Sequence, residues 1–140
     1  MLDLILVASS ICIVFTDVLW RKISNLTVVC ILITCVLLAL TDGHYSFNIS
    51  QSLLVLVTGL ALFYFGVLAA GDTKLLSTYV LIIDKEYFIF CIVMISFLGF
   101  ITAIIIWSIC RFRKVTDPTV PYGVPIVMSS LLCIYLSKLS

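Results

Sequence analysis

The chain has 140 residues, of which 64% are hydrophobic, and a formal net charge of +1. Its mean hydropathy is +1.34, far more apolar than a soluble domain of this size requires, so composition points to the membrane class. No basic block suggests a nucleic-acid partner, and Met1-Leu2-Asp3 lacks the positive stretch that opens a cleaved signal peptide, so the first apolar segment is expected to stay as a span.

In chain order, apolar segments run over Leu2 to Trp20, Leu26 to Leu40, Leu53 to Ala70, Leu75 to Ile83, Tyr87 to Cys110 and Val124 to Leu139. Long apolar runs without strand-like alternation read as helices, which satisfy their own backbone in lipid. The expected fold class is an all-α integral membrane protein, about six transmembrane helices in one bundle, with residues 1–140 as a single membrane-embedded domain. The first, third and fifth segments approach or exceed the length of about 20 residues that a span needs. The second and sixth are short, and the fourth has only nine residues before Asp84-Lys85-Glu86.

Charge bears on whether the fourth segment crosses. With all six crossing and the N-terminus outside, Arg21, Lys22, Lys74, Arg111, Arg113 and Lys114 fall inside, leaving Lys85 and Lys138 outside. This is the bias expected of cytoplasmic loops. A fourth segment that dipped in and returned would put Arg111, Arg113 and Lys114 on the wrong side. It is therefore expected to cross, borrowing length from Gly71 to Lys74 and from Asp84 to Tyr87. Gly59 and Gly66, seven residues apart, are expected to share a face of the third helix and permit close packing, as is Gly99 in the fifth.

The six cysteines, Cys12, Cys30, Cys35, Cys91, Cys110 and Cys133, form no CxxC and read as small hydrophobes. Neither a metal nor another cofactor is expected. His44, in the polar stretch from Thr41 to Ser52, reads as a solvated loop residue.

Acidic residues carry the functional signal. Asp3, Asp42, Asp84 and Glu86 fall on the outer side of this arrangement, and Asp117, before Pro118, reads as a turn residue of the last inner loop. Asp17 instead sits inside the first apolar segment, four residues before Arg21, which puts it about 6 Å below the inner polar boundary at 1.5 Å per helical residue. A carboxylate within a span costs about 2.5–3.5 kcal/mol and is functional by default. The alternative is an ion pair with Arg21 on the same helix face. Asp72 follows Ala69-Ala70-Gly71 and precedes Thr73-Lys74-Leu75; its alternative role is to cap the fourth helix. One topology brings Asp17 and Asp72 to the same inner face. Two carboxylates that meet near low dielectric share one proton, giving a general acid and a general base at once. This is the chemistry of aspartic proteases, and it needs no metal, serine or cysteine. Lys74 either biases which carboxylate keeps its charge or anchors to lipid head groups.

The stretch Ala69-Ala70-Gly71-Asp72-Thr73-Lys74-Leu75 resembles the GxGDxKL motif of the GxGD membrane aspartyl peptidases. Asp17, followed by Arg21-Lys22-Ile23-Ser24-Asn25, is similar to the other motif of the prepilin peptidases, an Asp before an Arg and an Ile-Pro-Asn turn. Pro121-Tyr122-Gly123-Val124-Pro125 resembles that family's proline-containing stretch before its last helix. Length and plan are similar to the short tight-adherence (Flp-type) pilus peptidases of the TadV/CpaA kind. Two positions depart: Ala69 stands for the first Gly of the motif, and Ser24 for the usual Pro. The resemblance implies a hydrolase with Asp17 and Asp72 as catalytic residues, and Gly71, Lys74, Arg21 and Asn25 in supporting or substrate-positioning roles. It implies prepilin and pseudopilin substrates, cut at the cytoplasmic face of the bacterial inner membrane just before their hydrophobic helix. The zinc and methyltransferase domain of the longer relatives is not expected. Two readings outside this class are a small proton- or cation-coupled transporter subunit using Asp17 and a non-catalytic assembly subunit.

Overall fold

A computed structural model describes residues 1–20, 23–41, 45, 47–66, 68–113 and 120–139. Among these residues the regular elements are six α-helices: α1 (Leu2–Trp20), α2 (Asn25–Thr41), α3 (Ile49–Tyr64), α4 (Ala70–Val80), α5 (Lys85–Arg113) and α6 (Gly123–Leu139). Helix α1 coincides with its apolar segment, and α2, α5 and α6 extend theirs by one to three residues at the ends that differ. Helix α3 is shifted toward the N-terminus. It begins after Asn48 and ends at Tyr64, where Phe65 N–H bonds Ala61 O and Gly66 N–H bonds Phe63 O. Gly66 has φ +73°, a left-handed conformation that a glycine adopts without steric cost. It therefore terminates α3 rather than sharing a helical face with Gly59.

Gly59 and Gly99 do serve close packing. A Cβ at Gly59 would run into the Thr73 side chain of α4, and one at Gly99 would reach the Tyr122 ring at 3.4 Å.

Helix α4 takes in Gly71 to Lys74, as its length required. At its other end Leu81 to Ile83 turn, and Asp84 leads directly into α5, so Asp84 to Tyr87 lend it nothing. It is the most enclosed helix, packed against α2, α3 and α6, with Leu75, Tyr79 and Val80 fully buried. A buried helix end must find partners for its last carbonyls: Ile82 N–H bonds Tyr79 O and Ile83 N–H bonds Val80 O, and Asn48 serves the turn that follows. Its backbone N–H bonds Leu81 O at 2.9 Å and its Nδ2 bonds Ile83 O at 3.0 Å. Ser52 Oγ donates to Ser77 O at 2.7 Å, fastening α3 to α4 along their length. Helix α4 is tied to α1 by a 2.6 Å hydrogen bond between Tyr79 Oη and Ser10 Oγ. Since Ser10 gives its one proton to Leu6 O, the Tyr79 hydroxyl is the donor.

These ties order the bundle by depth. One end gathers Asp3, Tyr45, Asn48, Asp84, Ser137 and Lys138: Lys138 Nζ meets Asp3 Oδ2 at 2.7 Å, and Ser137 Oγ accepts the Asp84 N–H at 3.1 Å. The other end holds Asp17, Asn25, Asp72, Lys74 and Gly123. Asp3, Asp84 and Lys138 thus lie at one end and Lys74 at the other, while Arg21, Lys22 and Lys114 lie outside the described residues.

A hydrophobic core is interspersed with buried polar residues, and the exterior is also apolar. Ser10, Thr34, Thr73, Ser129 and Ser130 are buried, whereas Phe15, Ile33, Val57, Phe97 and Ile104 are exposed. Helix α1 and the Lys85–Arg111 part of α5 are long and apolar enough to cross a membrane. All six cysteines are unpaired; Cys35, Cys91 and Cys133 are core residues. His44 lies outside the described residues.

Candidate active site

Asp17 sits in the last turn of α1 and Asp72 in the first turn of α4. Both are buried, with 6% and 5% of their surface exposed. Burying a carboxylate is costly unless hydrogen bonds or opposing charge compensate, and each of these meets the N-terminus of a helix.

The Asp17 carboxylate lies at the start of α6. Its Oδ2 accepts the backbone N–H of Gly123, the first residue of that helix, at 2.8 Å. That N–H is one of the donors a helix leaves without an internal partner. The positive end of the helix favours an anion at the same place. Gly123 is needed there for room: a Cβ on it would lie 2.6 Å from Asp17 Oδ2 and 3.0 Å from Cγ.

Asp72 is the third residue of α4, whose N-cap is Ala69. The Ala69 backbone N–H acts on its carboxylate from the helix start, while Thr73 N–H bonds Ala69 O at 3.2 Å to close the first turn. The N-cap position is thus taken by Ala69, and Asp72, expected as a candidate cap, lies inside the first turn instead. Asp17 lies near enough that its charge acts on Asp72.

Depth is consistent along both helices. The pairs Asp17/Asp72 and Ser10/Tyr79 are each seven residues apart on helices that run in opposite directions, about 10 Å at 1.5 Å per residue. The Ser10–Tyr79 hydrogen bond is thus a brace that fixes the register of α1 against α4, with Asp17 and Asp72 at the same depth beyond it.

The structure also joins the two segments that suggested a motif. Gly71 packs on Ile23, where a Cβ on the glycine would come within 3.2 Å of the isoleucine Cβ. Lys74 Nζ donates to Asn25 Oδ1 at 3.4 Å, at the exposed edge of the site. Asn25, Gly71 and Lys74 therefore line one junction between the start of α2 and the start of α4, next to Asp72. Lys74 engages the Asn25 amide, a contact that neither of its expected roles anticipated. Arg21 and Asp117 lie outside the described residues, and so does the α1 pairing considered for Arg21.

Gly123 was missed as a positioning residue. The stretch around it was visible in the sequence, but nothing there says that its N–H bonds an acid 106 residues away. Among the described residues no group of three or more His, Cys, Asp or Glu side chains is arranged to hold a metal. The site thus offers two buried carboxylates near enough for the charge of one to act on the other, that of Asp17 held by a backbone donor. Comparison with protein-family models, curated protein sequences and solved structures finds no match for this chain.

Proposed function

We propose that this chain is a multi-pass aspartic endopeptidase of the bacterial inner membrane, with six spans and its carboxylates toward the cytoplasm. It removes the leader peptide of type IV (Flp-type) prepilins and pseudopilins. The observation that carries this reading is the burial of Asp17 and Asp72 together, each tied to a helix N-terminus. Keeping two acids in one apolar bundle is expensive, and paired proton transfer is the use that repays it.

A membrane setting is supported by the many exposed large apolar side chains and by the acids buried within apolar helices. The shortness of α4, 11 residues or about 17 Å, agrees with a span wrapped by α2, α3 and α6. Non-helical backbone at membrane depth is tolerated where protein encloses it, as Asn48 encloses the end of α4. The orientation rests on the distribution of lysine and arginine.

The chemistry follows from the pair. The ionised carboxylate takes a proton from a water molecule as its oxygen attacks the scissile carbonyl carbon. The protonated carboxylate gives its proton to the carbonyl oxygen, forming a tetrahedral diol. Collapse of the diol breaks the C–N bond, the amine leaves with a proton, and the pair regains its single shared proton. The Gly123 N–H holds the Asp17 carboxylate in place while protons move.

Substrate access is supported by a groove of about 340 Å³ between α4, α5 and α6, lined by Leu76, Gly99, Phe100, Ala103, Tyr122 and Ile126. Leu76 is one turn from Asp72, and Tyr122 precedes the glycine that holds Asp17. An apolar substrate helix lying in this groove from the bilayer brings its leader junction to the carboxylates.

Co-expression with a candidate prepilin tests the proposal. Wild type shifts the prepilin to its processed size on a gel, and Asp17→Asn or Asp72→Asn alone abolishes the shift. Processing that survives both substitutions refutes it. Loss of an ion flux in Asp17→Asn with processing intact would favour the transporter reading instead.

A further inference from the structure

The end of the bundle away from the carboxylates carries a second groove, between α1 and α6, of about 420 Å³. Its walls are Leu6 and Val7 of α1 and Leu131, Ile134, Tyr135 and Leu139 of α6. From Leu131 to Lys138 the α6 wall rises through seven residue steps, about 10 Å. Its mouth is built differently from its walls. Lys138 Nζ meets Asp3 Oδ2 at 2.7 Å, and the Tyr45 hydroxyl donates to Asp3 Oδ1 at 3.1 Å. The Lys138 ammonium also lies 5.7 Å from the centre of the Tyr45 ring. Burial, and then the Asp3 carboxylate, push the Tyr45 phenol up to about 12, so it remains a hydroxyl donor. The ion pair is only half sheltered, with 36% of the Lys138 side chain and 46% of Asp3 exposed.

We infer that this groove binds one phospholipid with a primary-amine, ethanolamine-type head group. The acyl chain lies between α1 and α6. Its phosphate is met by the Lys138 ammonium, and its own ammonium by the Asp3 carboxylate. Charge complementarity selects this ligand: a plus–minus pair at the mouth of an apolar groove matches a zwitterion at the end of an acyl chain. A carboxylate has room for further donors beyond Lys138 and Tyr45, and a primary ammonium supplies them. A quaternary ammonium has no N–H to give, and a glycerol head group has no positive charge for Asp3. The bound lipid would clamp the first turn of α1 to the last turn of α6. This site rests on the membrane reading and not on the peptidase reading.

The test is competition for the purified full-length chain in mixed micelles. Phosphatidylethanolamine, phosphatidylcholine and phosphatidylglycerol with identical acyl chains are compared by native mass spectrometry. One lipid is expected to be retained, with phosphatidylethanolamine preferred about tenfold over the other two, the difference one charge-assisted hydrogen bond makes. Asp3→Asn is expected to erase the preference over phosphatidylcholine, and Leu131→Trp, which fills the groove, to lower retention of all three. Equal retention of phosphatidylethanolamine and phosphatidylcholine by wild type, or no retained lipid, overturns the inference whatever the variants do. Prepilin cleavage is read separately, so a failure here leaves the peptidase proposal standing.

Discussion

Replacing Gly123 by alanine isolates the positioning of Asp17. The glycine has no left-handed backbone angle, so alanine is conformationally acceptable, and the effect comes from contact alone. The added Cβ would stand 2.6 Å from Asp17 Oδ2, and relief to an ordinary contact of 3.4 Å moves the carboxylate by about 0.8 Å. That movement strains the 2.8 Å hydrogen bond from the same residue. A misplacement of about 1 Å at a reacting group costs about 10²-fold in rate, so Gly123→Ala is expected to slow prepilin cleavage by about one to two orders of magnitude. Crowding of this kind costs about 1–3 kcal/mol of stability, which leaves a folded protein to assay. The assay is the rate of leader release in detergent, with thermal unfolding followed in parallel. A Gly123→Ala protein that cleaves at the wild-type rate would refute the view that this contact sets the Asp17 geometry.

Other substitutions probe the frame. Tyr79→Phe removes the donor to Ser10 and is expected to cost about 0.5–1.5 kcal/mol in thermal unfolding, with a measurable loss of cleavage because the α1–α4 brace is gone. Asn48→Leu leaves the Ile83 carbonyl without its side-chain donor and should cost about 1–3 kcal/mol, read in the same unfolding experiment with little change in cleavage by the folded fraction. Lys74→Ala removes only an exposed 3.4 Å contact to Asn25 and should leave cleavage within a few-fold of wild type. Gly99→Leu fills the groove between α4, α5 and α6 and should block the processing of prepilin while the fold survives, as circular dichroism would record.

Asp17 was legible in the sequence because an acid within an apolar run is costly wherever the helix lies. Asp72 was legible only through its neighbours, since an acid in a short turn is ordinary. The extents of α1, α2, α5 and α6 followed from hydrophobicity alone. Helix α3 did not: Ile49 to Ser52 look like a polar loop, yet Asn48 spends its polarity on the turn after α4 and Ser52 on the backbone of α4 itself. Helix α4 was the hardest to read, because its polar residues Thr73, Ser77 and Thr78 point inward, opposite to the pattern of a soluble helix. Gly66 looked like a packing glycine because spacing carries no information about φ. The role of Gly123 depends on a backbone donor meeting a residue far away in the chain, which no local pattern records.

The most direct measurement of the central claim compares purified wild type, Asp17→Asn, Asp72→Asn and the double variant in liposomes with one prepilin, with mass spectrometry reporting the released leader. Two carboxylates acting on one water behave as a unit, so their effects are not additive. Each single variant is expected to lose about 10²- to 10⁴-fold in rate, and the double variant should be no slower than the worse single one. A single variant that retains near wild-type cleavage, or losses that multiply in the double variant, would contradict the account.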